Sequence, residues 1–355
     1  MRNISKFYKN KKILITGITG FKGTWLANFL LLLGANIYGI ASKKKKNNLF
    51  HQLKLEKKIE LKFLDVRNFK KLNNYINTIK PSIVFHFAGQ TLIYDSYRFP
   101  HQTFDINSMG GLNILEVTRQ SKFIKSLIIT TSDKCYESKR GSKGFKENDR
   151  LGGEDPYSAS KVSVEIMLKS YQKSFFNKKK LIGASSVRSG NVIGGGDFAP
   201  NRLIPDCIKS IKENKTIFLR NPNFNRPWQF VLEPLKGYLI LAQKQYIHPK
   251  NYSSSWNFGT EPNTITSVKK IVKYLVSFWG KGKIKILKNN FYEQMNLQLD
   301  ISKAKKFLKW SPTYNIKDSV KLSVDWYKRV LVNKENPIKV TEEQIKKYMH
   351  DSKIN

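Results

Sequence analysis

The sequence predicts an α/β fold, a Rossmann-type doubly wound parallel sheet with a smaller mixed α/β substrate-binding lobe. In the first half of the 355 residues, short apolar stretches alternate with longer amphipathic ones. Nearly continuous apolar strands separated by helices are typical of a parallel sheet covered on both faces. A glycine-rich turn also lies between the first predicted strand and the first predicted helix. Dinucleotide-binding folds place their phosphate site at that position.

The predicted strands and helices of the sheet alternate along the chain. The strands are 12–16, 36–41, 82–88, 126–131 and 181–187. Amphipathic stretches predict helices near 23–33, 105–120 and 157–176. The carboxyl ends of parallel strands meet at one edge of the sheet, and ligands of open α/β sheets bind outside that edge.

The sequence pattern changes near residue 195, where glycines and prolines interrupt the periodicity. A later helix is predicted from the apolar spacing between Val268 and Trp279, and Gly280 is expected to end it. We therefore predict three regions: a Rossmann domain at 1–190 with a return segment near 228–260, a substrate-binding lobe at 191–335, and a polar helical C-terminal tail at 336–355.

The charge of the chain is strongly positive, with 64 Lys and Arg against 26 Asp and Glu and a formal net charge of +38. Nucleic-acid binding is one explanation of such a charge. However, lysine outnumbers arginine about five to one and is scattered through the chain, whereas base and bidentate phosphate recognition depend mainly on arginine. We expect no nucleic-acid partner, but the positive field would attract a doubly charged phosphate substrate.

The sequence indicates neither a membrane segment nor a secretory signal. The longest apolar run, around Trp25–Leu33, is too short to cross a bilayer. The basic N-terminus runs directly into a strand pattern. Two cysteines, Cys135 and Cys207, suggest neither a disulfide framework nor a metal site. We expect a cytoplasmic protein without a bound metal.

The glycine-rich turn runs from Thr16 to Gly23 between a strand and a helix. A pyrophosphate there needs close backbone approach and free N–H groups at the helix N-terminus. A Cβ at Gly17 or Gly20 would hold the phosphate away. The strand–turn–helix context makes this glycine pattern specific. The predicted cofactor-binding residues of the turn are Gly17, Thr19, Gly20, Phe21, Lys22 and Gly23.

The sequence leaves the choice between NAD and NADP open. NAD-binding folds usually place an acidic residue at the end of the second strand, for the ribose 2′-hydroxyl. This chain has no carboxylate there, and Lys43 or Lys44 could meet a 2′-phosphate. Asp65 and Val66 follow a third strand-like stretch and are candidates to hold the adenine. On spacing alone, an aspartate that ends a strand at a turn explains Asp65 equally well.

A candidate redox pair is Tyr157 and Lys161, which lie one turn apart on a helix face if Pro156 begins the helix. Removing a proton from a sugar hydroxyl near neutral pH requires a base, and a free phenol has a pKa of about 10. A neighbouring ammonium and the cationic nicotinamide ring both favour the phenolate. This pattern predicts a hydride-transfer enzyme.

A polar triplet, Ser132-Asp133-Lys134, follows the predicted strand 126–131. Alone it would be a polar turn. Because this strand immediately precedes the helix of Tyr157 and Lys161, we expect a hydroxyl, a carboxylate and an amine at the same edge of the sheet.

Six stretches carry a family resemblance: ITGITGFKGTWL, FHFAGQTLIYDSY, TSDKCYE, DPYSASK, SVRSGNVIGGGDFAPNRLIPD and RNPNFNRPWQFVLEPLKGY. Together they resemble the extended short-chain dehydrogenase/reductase family, and within it the nucleotide-sugar 4,6-dehydratases that act on CDP-glucose. The likeness covers about 10–330. It implies that NAD oxidises C4 of the glucose, water leaves across C5 and C6, and the hydride returns to C6, giving CDP-4-dehydro-6-deoxy-glucose.

The resemblance also implies roles for the five candidate catalytic residues. Tyr157 takes the 4-hydroxyl proton, Lys161 lowers the pKa of Tyr157 and holds the ribose, and Ser132 hydrogen-bonds the 4-oxygen. Elimination then needs an acid near the 6-hydroxyl and a base near C5. The resemblance makes Asp133 the acid, and Lys134 is placed to act as the base. The identity of the base stays open, because an amine must be partly neutral to accept a proton.

Further contacts follow from matching positions. The implied cofactor contacts also include Asp65, Val66, Ala88, Gln90 and Asn107. The implied substrate contacts are Asn107, Arg188, Asn191, Arg202, Leu203, Arg220 and Arg226. Arg220 and Arg226 resemble pyrophosphate clamps, although solvated surface arginines are the alternative. Related enzymes usually have His where this chain has Phe230. The family also implies a homodimer formed by two helices from each partner, or a dimer of such dimers.

Two other functions compete with this interpretation. A nucleotide-sugar 4-epimerase of the same fold needs Tyr157, Lys161 and a hydroxyl, but no acid–base pair for elimination. The presence of Asp133 and Lys134 favours a dehydratase. A Rossmann-based NADP sensor or scaffold would use the basic surface and carry out no chemistry, yet each catalytic position is filled in this chain.

Overall fold

A computed structural model describes residues 4–43, 48–137, 144–178, 181–262, 264, 266–287 and 298–354. Its strands are β1 (Lys12–Thr16), β2 (Asn36–Ala41), β3 (Glu60–Phe63), β4 (Ile83–His86), β5 (Ser126–Thr130), β6 (Gly183–Ser189), β7 (Val192–Ile193), β8 (Ile217–Leu219), β9 (Asn225–Arg226), β10 (Gln229–Phe230), β11 (Ser255–Phe258), β12 (Thr266–Ser267) and β13 (Ile284–Ile286).

The α-helices are α1 (Ile4–Tyr8), α2 (Phe21–Leu32), α3 (Leu49–Gln52), α4 (Phe69–Ile79), α5 (Ile93–Arg98), α6 (Pro100–Phe104), α7 (Gly110–Gln120), α8 (Pro156–Tyr171), α9 (Leu203–Lys212), α10 (Leu232–Ile247), α11 (Pro249–Tyr252), α12 (Val268–Trp279), α13 (Ile316–Tyr327) and α14 (Pro337–Asp351). Short 3₁₀ segments are Leu55–Lys57 and Asp133–Cys135. Short π-helical segments are Asp105–Met109, Gln172–Phe176, Ala304–Leu308 and Lys328–Val332.

The seven-stranded main sheet has the order β11-β6-β5-β4-β1-β2-β3, and all its neighbouring strands are parallel. This sheet confirms the predicted fold class. The chain builds outward from β1 through β2 and β3, and then continues on the other side of β1 through β4. The strand order therefore reverses between β1 and β4, and doubly wound folds bind their ligands in the crevice at such a reversal.

Several predicted elements are confirmed. The predicted strands 12–16 and 36–41 have the bounds of β1 and β2. The strand predicted at 126–131 ends one residue earlier. The helix predicted between Val268 and Trp279 is α12, and Gly280 ends it with a φ of 92°. Glycine suits this left-handed end of a helix because it has no Cβ.

Helices cover both faces of the main sheet. Successive residues of a strand point to opposite faces, so Ile13 and Leu14 of β1 belong to two different apolar clusters. One cluster joins the sheet to α2 and α10, and the other joins it to α4, α7 and α8. The outermost strand, β11, comes from the segment that we expected to return to the Rossmann domain, and it pairs with β6.

The later part of the chain lies beside the carboxyl edge of the sheet. It contains the small strand pairs β7–β10, β9–β12 and β8–β13. The C-terminal segment differs from the predicted polar tail. Helix α14 buries Val340, Ile345 and Tyr348, and the Tyr348 hydroxyl donates to Glu233 Oε2 over 2.7 Å. The polar residues of this segment lie mainly on the exposed face of the helix, and its apolar residues pack against the rest of the protein.

Among the described residues, no helix has the length and apolar character needed to cross a membrane. The same part of the chain contains no group of three His, Cys, Asp or Glu residues arranged to hold a metal ion. Cys135 and Cys207 are both free and buried.

Candidate active site

The glycine-rich turn packs directly against the segment that follows β4. Gly17 has a φ of 69°, and a Cβ on it would lie 2.6 Å from the Ala88 nitrogen. A Cβ on Gly23 would lie 2.5 Å from the Gly17 oxygen. A Cβ on Gly20 would meet only the Gly17 oxygen, at 3.2 Å. The first and third glycines therefore let the turn close on its neighbours, and the second leaves its outer face open.

The N-terminus of α2 offers backbone donors at this open face. Gly20 is the N-cap and supplies no side-chain hydrogen bond, and the first turn has no acidic residue. The first N–H groups of a helix have no intrahelical acceptor, and together with the helix dipole they favour an anion. Residues Gly20 to Gly23 therefore fit a pyrophosphate. The neighbouring Thr19 oxygen is held by Asn48 Nδ2 at 3.1 Å.

The side chain of Lys22 leaves this turn and reaches the carboxyl end of β6. Its amine donates to Ser189 Oγ over 2.7 Å. Burial lowers the pKa of Lys22 to about 8, and the charges of Arg202 and Lys161 act in the same direction, whereas Asp133 opposes them. The amine therefore lies within the field of the proposed catalytic residues. Phe21, the other side chain at this helix start, is half-buried.

Asp65 is held by an arginine that the sequence analysis did not single out. Arg67 donates to both carboxylate oxygens of Asp65 and to Asp105 Oδ2 over 2.6 Å. These hydrogen bonds lower the pKa of Asp65. The neighbouring Val66 is buried, and its carbonyl accepts from Asn113 Nδ2 over 3.0 Å. Asp65 thus stays an ionised acceptor at the edge beside β2 and β3.

Of the two lysines considered as partners of a 2′-phosphate, the structure describes one. Lys43 is exposed and follows the last residue of β2 by two positions. Lys44 lies outside the described residues.

Helix α8 positions the candidate redox pair. Asp155 caps the helix by accepting from the Ser158 nitrogen over 2.9 Å, and Pro156 occupies the first turn. Lys161 is 6% exposed, and its amine points to the Thr130 oxygen at the end of β5, at 3.4 Å. The cap therefore fixes Tyr157 and Lys161 over the carboxyl edge of the sheet.

The protein by itself does not make Tyr157 acidic. Burial raises the pKa of Tyr157 above its usual value of about 10, and a hydrogen bond with the Ser132 side chain opposes this shift. Burial also lowers the pKa of Lys161 to about 8. We expected the Lys161 ammonium to favour the phenolate. In the structure, burial has the largest effect on the pKa of Tyr157 and favours the protonated phenol.

The Ser132-Asp133-Lys134 triplet lies at this same edge. Ser132 Oγ donates to Asp133 Oδ1 over 3.2 Å and accepts from the Lys134 nitrogen over 3.2 Å. Asp133 is 6% exposed, and its Oδ2 has no hydrogen-bond partner. Burial raises the pKa of Asp133, and the charge of Lys134, the Ser132 hydrogen bond and the charges of Arg226 and Lys22 oppose this shift. A buried carboxyl group with one unpaired oxygen is suited to carry a proton.

Asn107 and Gln90 connect the loop after β4 to α8. Asn107 Oδ1 accepts from the Gln90 nitrogen over 2.8 Å, and its amide nitrogen donates to the Gln90 oxygen and to Ser160 Oγ. Both amide hydrogens of Asn107 are therefore used within the protein. Gln90 Oε1 is buried without a partner, so it is an acceptor left for a ligand. Ala88 donates its N–H to Thr16 Oγ1 over 3.2 Å.

The guanidinium of Arg188, one residue before the carboxyl end of β6, is buried in a polar network, and its expected role as a substrate contact stays a prediction. Its guanidinium forms two hydrogen bonds of 2.8 Å with Glu165 and another of 2.7 Å with the Tyr136 hydroxyl. The side chains of Arg188 and Glu165 are each 2% exposed. Arg188 lies in β6, and its side chain reaches into this polar network. The stretch 186–206, which carries part of the family resemblance, contains Arg188 but gives no signal for the partners of its side chain.

A cavity of about 420 Å³ lies between α9, β8 and β9. The expected substrate contacts Asn191, Leu203, Arg220 and Arg226 line it, together with Trp228, which the sequence analysis did not single out. The Trp228 Nε1 is buried without a partner. Two guanidinium groups, an amide and aromatic side chains fit a nucleoside diphosphate. The charge of Arg226 also lowers the pKa of Asp133. A side chain that lines this cavity therefore influences the charge of a candidate catalytic residue.

Arg202 lies between the cavity and the redox pair. Its guanidinium donates to Asp197 Oδ2 over 2.9 Å, and its charge lowers the pKa of Tyr157. Phe230, where the resemblance implied a histidine, is fully buried and packs edge-on against Trp25 and Tyr314. Phe230 therefore belongs to the core.

The chain is similar to known enzymes that act on nucleotide sugars. The sequence model of the family described as GDP-mannose 4,6 dehydratase matches residues 14–322. The chain belongs to this family. It is 39% identical over 350 residues to the CDP-glucose 4,6-dehydratase of Salmonella typhimurium, with 97% of each chain covered.

Solved structures show the same fold. A dTDP-glucose 4,6-dehydratase from Bacillus anthracis in complex with NAD has a TM-score of 0.76 and 21% identity, covering 90% of this chain and 97% of that one. A UDP-glucose 4-epimerase from Thermotoga maritima with UDP-glucose has a TM-score of 0.79 and 20% identity, covering 90% of this chain and 99% of that one. The fold thus serves both dehydratases and epimerases, and side chains must distinguish them.

Proposed function

We propose that this protein is an NAD-dependent CDP-glucose 4,6-dehydratase, a hydro-lyase that forms CDP-4-dehydro-6-deoxy-D-glucose. The observation that carries the proposal is the buried Asp133 carboxyl, whose Oδ2 has no partner, beside Ser132, Lys134 and Tyr157. A 4-epimerase does not need such an acid. The similarity to the Salmonella enzyme over nearly its whole length supports CDP-glucose as the substrate.

The cofactor site proposed here is the open face of the glycine-rich turn. Gly17, Gly20 and Gly23 shape the turn, and the α2 N-terminus provides the backbone donors for the pyrophosphate. On the other side of the reversal, Lys161 holds the ribose and Gln90 Oε1 accepts from the ligand. Asp65 and Val66 flank the adenine. When bound, NAD supplies a hydride acceptor that returns the hydride before the product leaves.

The proposed substrate site is the cavity between α9, β8 and β9. Arg220 and Arg226 pair with the diphosphate, because guanidinium groups bind phosphate oxygens through two parallel hydrogen bonds. Asn191 and Leu203 line the cavity with them, and Trp228 offers its unpaired N–H. This arrangement directs the sugar towards Asp133.

Oxidation at C4 begins with loss of the hydroxyl proton. Tyr157 accepts this proton, Ser132 hydrogen-bonds the 4-oxygen, and Lys161 stabilises the phenolate. Burial keeps the phenol protonated when no positive ligand is near. We therefore propose that Tyr157 becomes a base only in the loaded site.

Elimination across C5 and C6 needs one proton donor and one acceptor. Once C4 is a ketone, the C5 proton is acidic, and Lys134 is the proposed base that accepts it. Asp133 donates the proton that leaves with the 6-hydroxyl as water. The raised pKa of Asp133 keeps this proton on the carboxyl group at neutral pH more often than in an exposed aspartate.

We also propose a cytoplasmic homodimer. Apolar side chains are exposed along α6, the π-helical segment Asp105–Met109 and α8: Phe104 is 39%, Met109 47% and Ile166 60% exposed. We propose that these segments pair with those of a second copy. Two free, buried cysteines agree with a reducing compartment. Sedimentation of wild type and Ile166→Glu tests the dimer, because a buried glutamate would dissociate it.

The function is tested by incubating the protein with NAD and, in parallel, CDP-, dTDP- and GDP-glucose, and by identifying the products by NMR. We expect a 4-keto-6-deoxy sugar from CDP-glucose at the highest rate. A sugar inverted at C4 without a keto product would make the protein an epimerase, and a preference for another nucleotide would refute the substrate assignment.

A further inference from the structure

Both ends of the Ser132-Asp133-Lys134 triplet are attached to one buried ion pair. Thr131, directly before the triplet, donates its hydroxyl to Glu165 Oε1 over 2.5 Å. The Tyr136 hydroxyl, two residues after the triplet, accepts from Arg188 Nη1 over 2.7 Å. Glu165 and Arg188 are joined by two hydrogen bonds of 2.8 Å. The ion pair therefore holds the chain on both sides of the triplet.

The same ion pair includes a residue of the helix that carries the redox pair. Glu165 lies in α8 one turn after Lys161, which itself lies one turn after Tyr157. The Lys161 amine points to the Thr130 oxygen at 3.4 Å, and Glu165 accepts from the next residue, Thr131. Two successive turns of α8 thus contact two successive residues at the end of β5. These contacts fix the helix relative to the triplet.

Directional contacts define this arrangement. The Arg188 and Glu165 side chains are each 2% exposed. The Arg188 guanidinium lies 4.8 Å from the centre of the Tyr136 ring, and that ring stacks on Phe145. Apolar residues of similar volume often stabilise a fold as well as a buried ion pair does. Unlike them, a guanidinium paired with a carboxylate fixes the directions of its partners, so this network is suited to hold two segments in one geometry.

Elimination is the step that depends on this geometry. Tyr157 holds the sugar at its 4-oxygen in the proposed site, while Asp133 and Lys134 must reach the neighbouring 6-hydroxyl and C5. Asp133 forms a hydrogen bond with Ser132, inside the triplet, and its Oδ2 has no partner. The backbone of the triplet therefore sets the position of the acid. A displacement of about 1 Å can slow a positioned reaction on the order of 10²-fold.

We propose that the Glu165–Arg188 ion pair positions the triplet for elimination, through the hydroxyl groups of Thr131 and Tyr136. This inference rests on the proposed function, because that function assigns the acid and the base of elimination to the triplet. The four residues are positioning residues that act through the backbone of the triplet. Oxidation depends mainly on side chains that α8 carries, so loss of either hydroxyl slows elimination more than oxidation and leaves the affinity for CDP-glucose unchanged.

The experiment mixes the full-length protein and NAD with CDP-glucose, and follows reduced cofactor by stopped flow and the 4-keto product by rapid quench. Thr131→Val and Tyr136→Phe each remove one hydroxyl, and Tyr136→Phe keeps the ring that stacks on Phe145. At a temperature where each variant is folded, we expect elimination to slow roughly 10–10²-fold, reduced cofactor to accumulate, and KM to stay unchanged. Thr131→Ser keeps the hydroxyl and is expected to keep the wild-type rate.

Ser255→Ala is the matched control. It removes another hydroxyl from Glu165, one that donates to Oε2 over 3.0 Å, but Ser255 lies in β11 and not beside the triplet. We expect the wild-type elimination rate in this variant. A fall of the same size in Ser255→Ala would overturn the proposal, because the effect would then follow from the loss of any hydrogen bond to Glu165.

An unchanged elimination rate in Thr131→Val and Tyr136→Phe would also overturn the proposal, as would an equal fall in the rates of oxidation and elimination. Either variant is decisive if the other does not fold. The wild type separates this inference from the proposed function. If the wild type forms the 4-keto product, unchanged variants refute the positioning role alone. If it inverts C4 instead, the proposed function is refuted and this inference with it.

Discussion

Replacement of Arg188 by methionine is expected to destabilise the protein and leave substrate binding intact. The structure gives Arg188 four hydrogen bonds, two of 2.8 Å to Glu165, one of 2.7 Å to the Tyr136 hydroxyl and one of 3.2 Å to the Glu147 oxygen. Glu165 in turn accepts from Thr131, Ser186 and Ser255. Methionine would leave the Glu165 carboxylate buried without its cation.

The size of this effect follows from the burial of the pair. Breaking a buried, hydrogen-bonded ion pair by removing one partner costs about 3–5 kcal/mol. Folded proteins of ordinary stability have a free energy of unfolding of about 5–15 kcal/mol, so the loss would be a large fraction of the total. Arg188→Met combined with Glu165→Gln removes both charges and should cost less than the sum of the two single changes.

Urea unfolding of the wild type, both single variants and the double variant measures these free energies. KM for CDP-glucose is measured at a temperature where each variant is folded. We expect a strongly lowered unfolding midpoint for Arg188→Met with an unchanged KM. An unchanged midpoint together with a raised KM would show that Arg188 contacts the substrate, and the placement described above would be wrong.

Three changes in the cleft give further predictions. Asp133→Asn is expected to lower turnover about 10²–10⁴-fold while reduced cofactor still accumulates when substrate is mixed with enzyme; loss of that accumulation would remove Asp133 from the elimination step. Because burial raises the pKa of Asp133, the wild-type elimination rate should fall as pH rises through that pKa, and a flat stopped-flow profile would contradict this. Tyr157→Phe should abolish oxidation with substrate affinity nearly intact by calorimetry, and retained turnover would exclude Tyr157 as the base. Arg226→Lys should raise KM roughly tenfold with little change in kcat, because lysine cannot bind phosphate bidentately; an unchanged KM would place the diphosphate elsewhere.

The sequence predicted most of the main sheet because its signals are local. Strands β1 and β2 are apolar runs bounded by a glycine-rich turn and by Gly34, and α8 begins at Pro156 behind an aspartate cap. Each of these signals acts over a few residues. The turn formed by the glycines at 17, 20 and 23 could likewise be predicted, because the neighbouring residues in the sequence indicate a strand before it and a helix after it.

Predictions from the sequence were incomplete where contacts between residues far apart in the chain determine the structure. Arg188 lies in a strand whose residues are all buried, and its partner Glu165 is 23 positions earlier in the chain. Helix α14 reads as polar because its buried face is narrow, and its position depends on Glu233. The reach of Lys22 to Ser189 spans 167 positions. No local pattern encodes such contacts, so these roles became visible only once the chain was folded.

The most direct test of the dehydratase assignment follows a deuterium label placed at C4 of CDP-glucose. We expect the product to carry this deuterium at C6, because the hydrogen removed at C4 stays in the site and returns to the same sugar. NMR of the product reports the position of the label. Deuterium found at C4 of an inverted sugar would contradict the account and identify an epimerase, and a product that lacks deuterium at C6 would contradict internal return of the hydride.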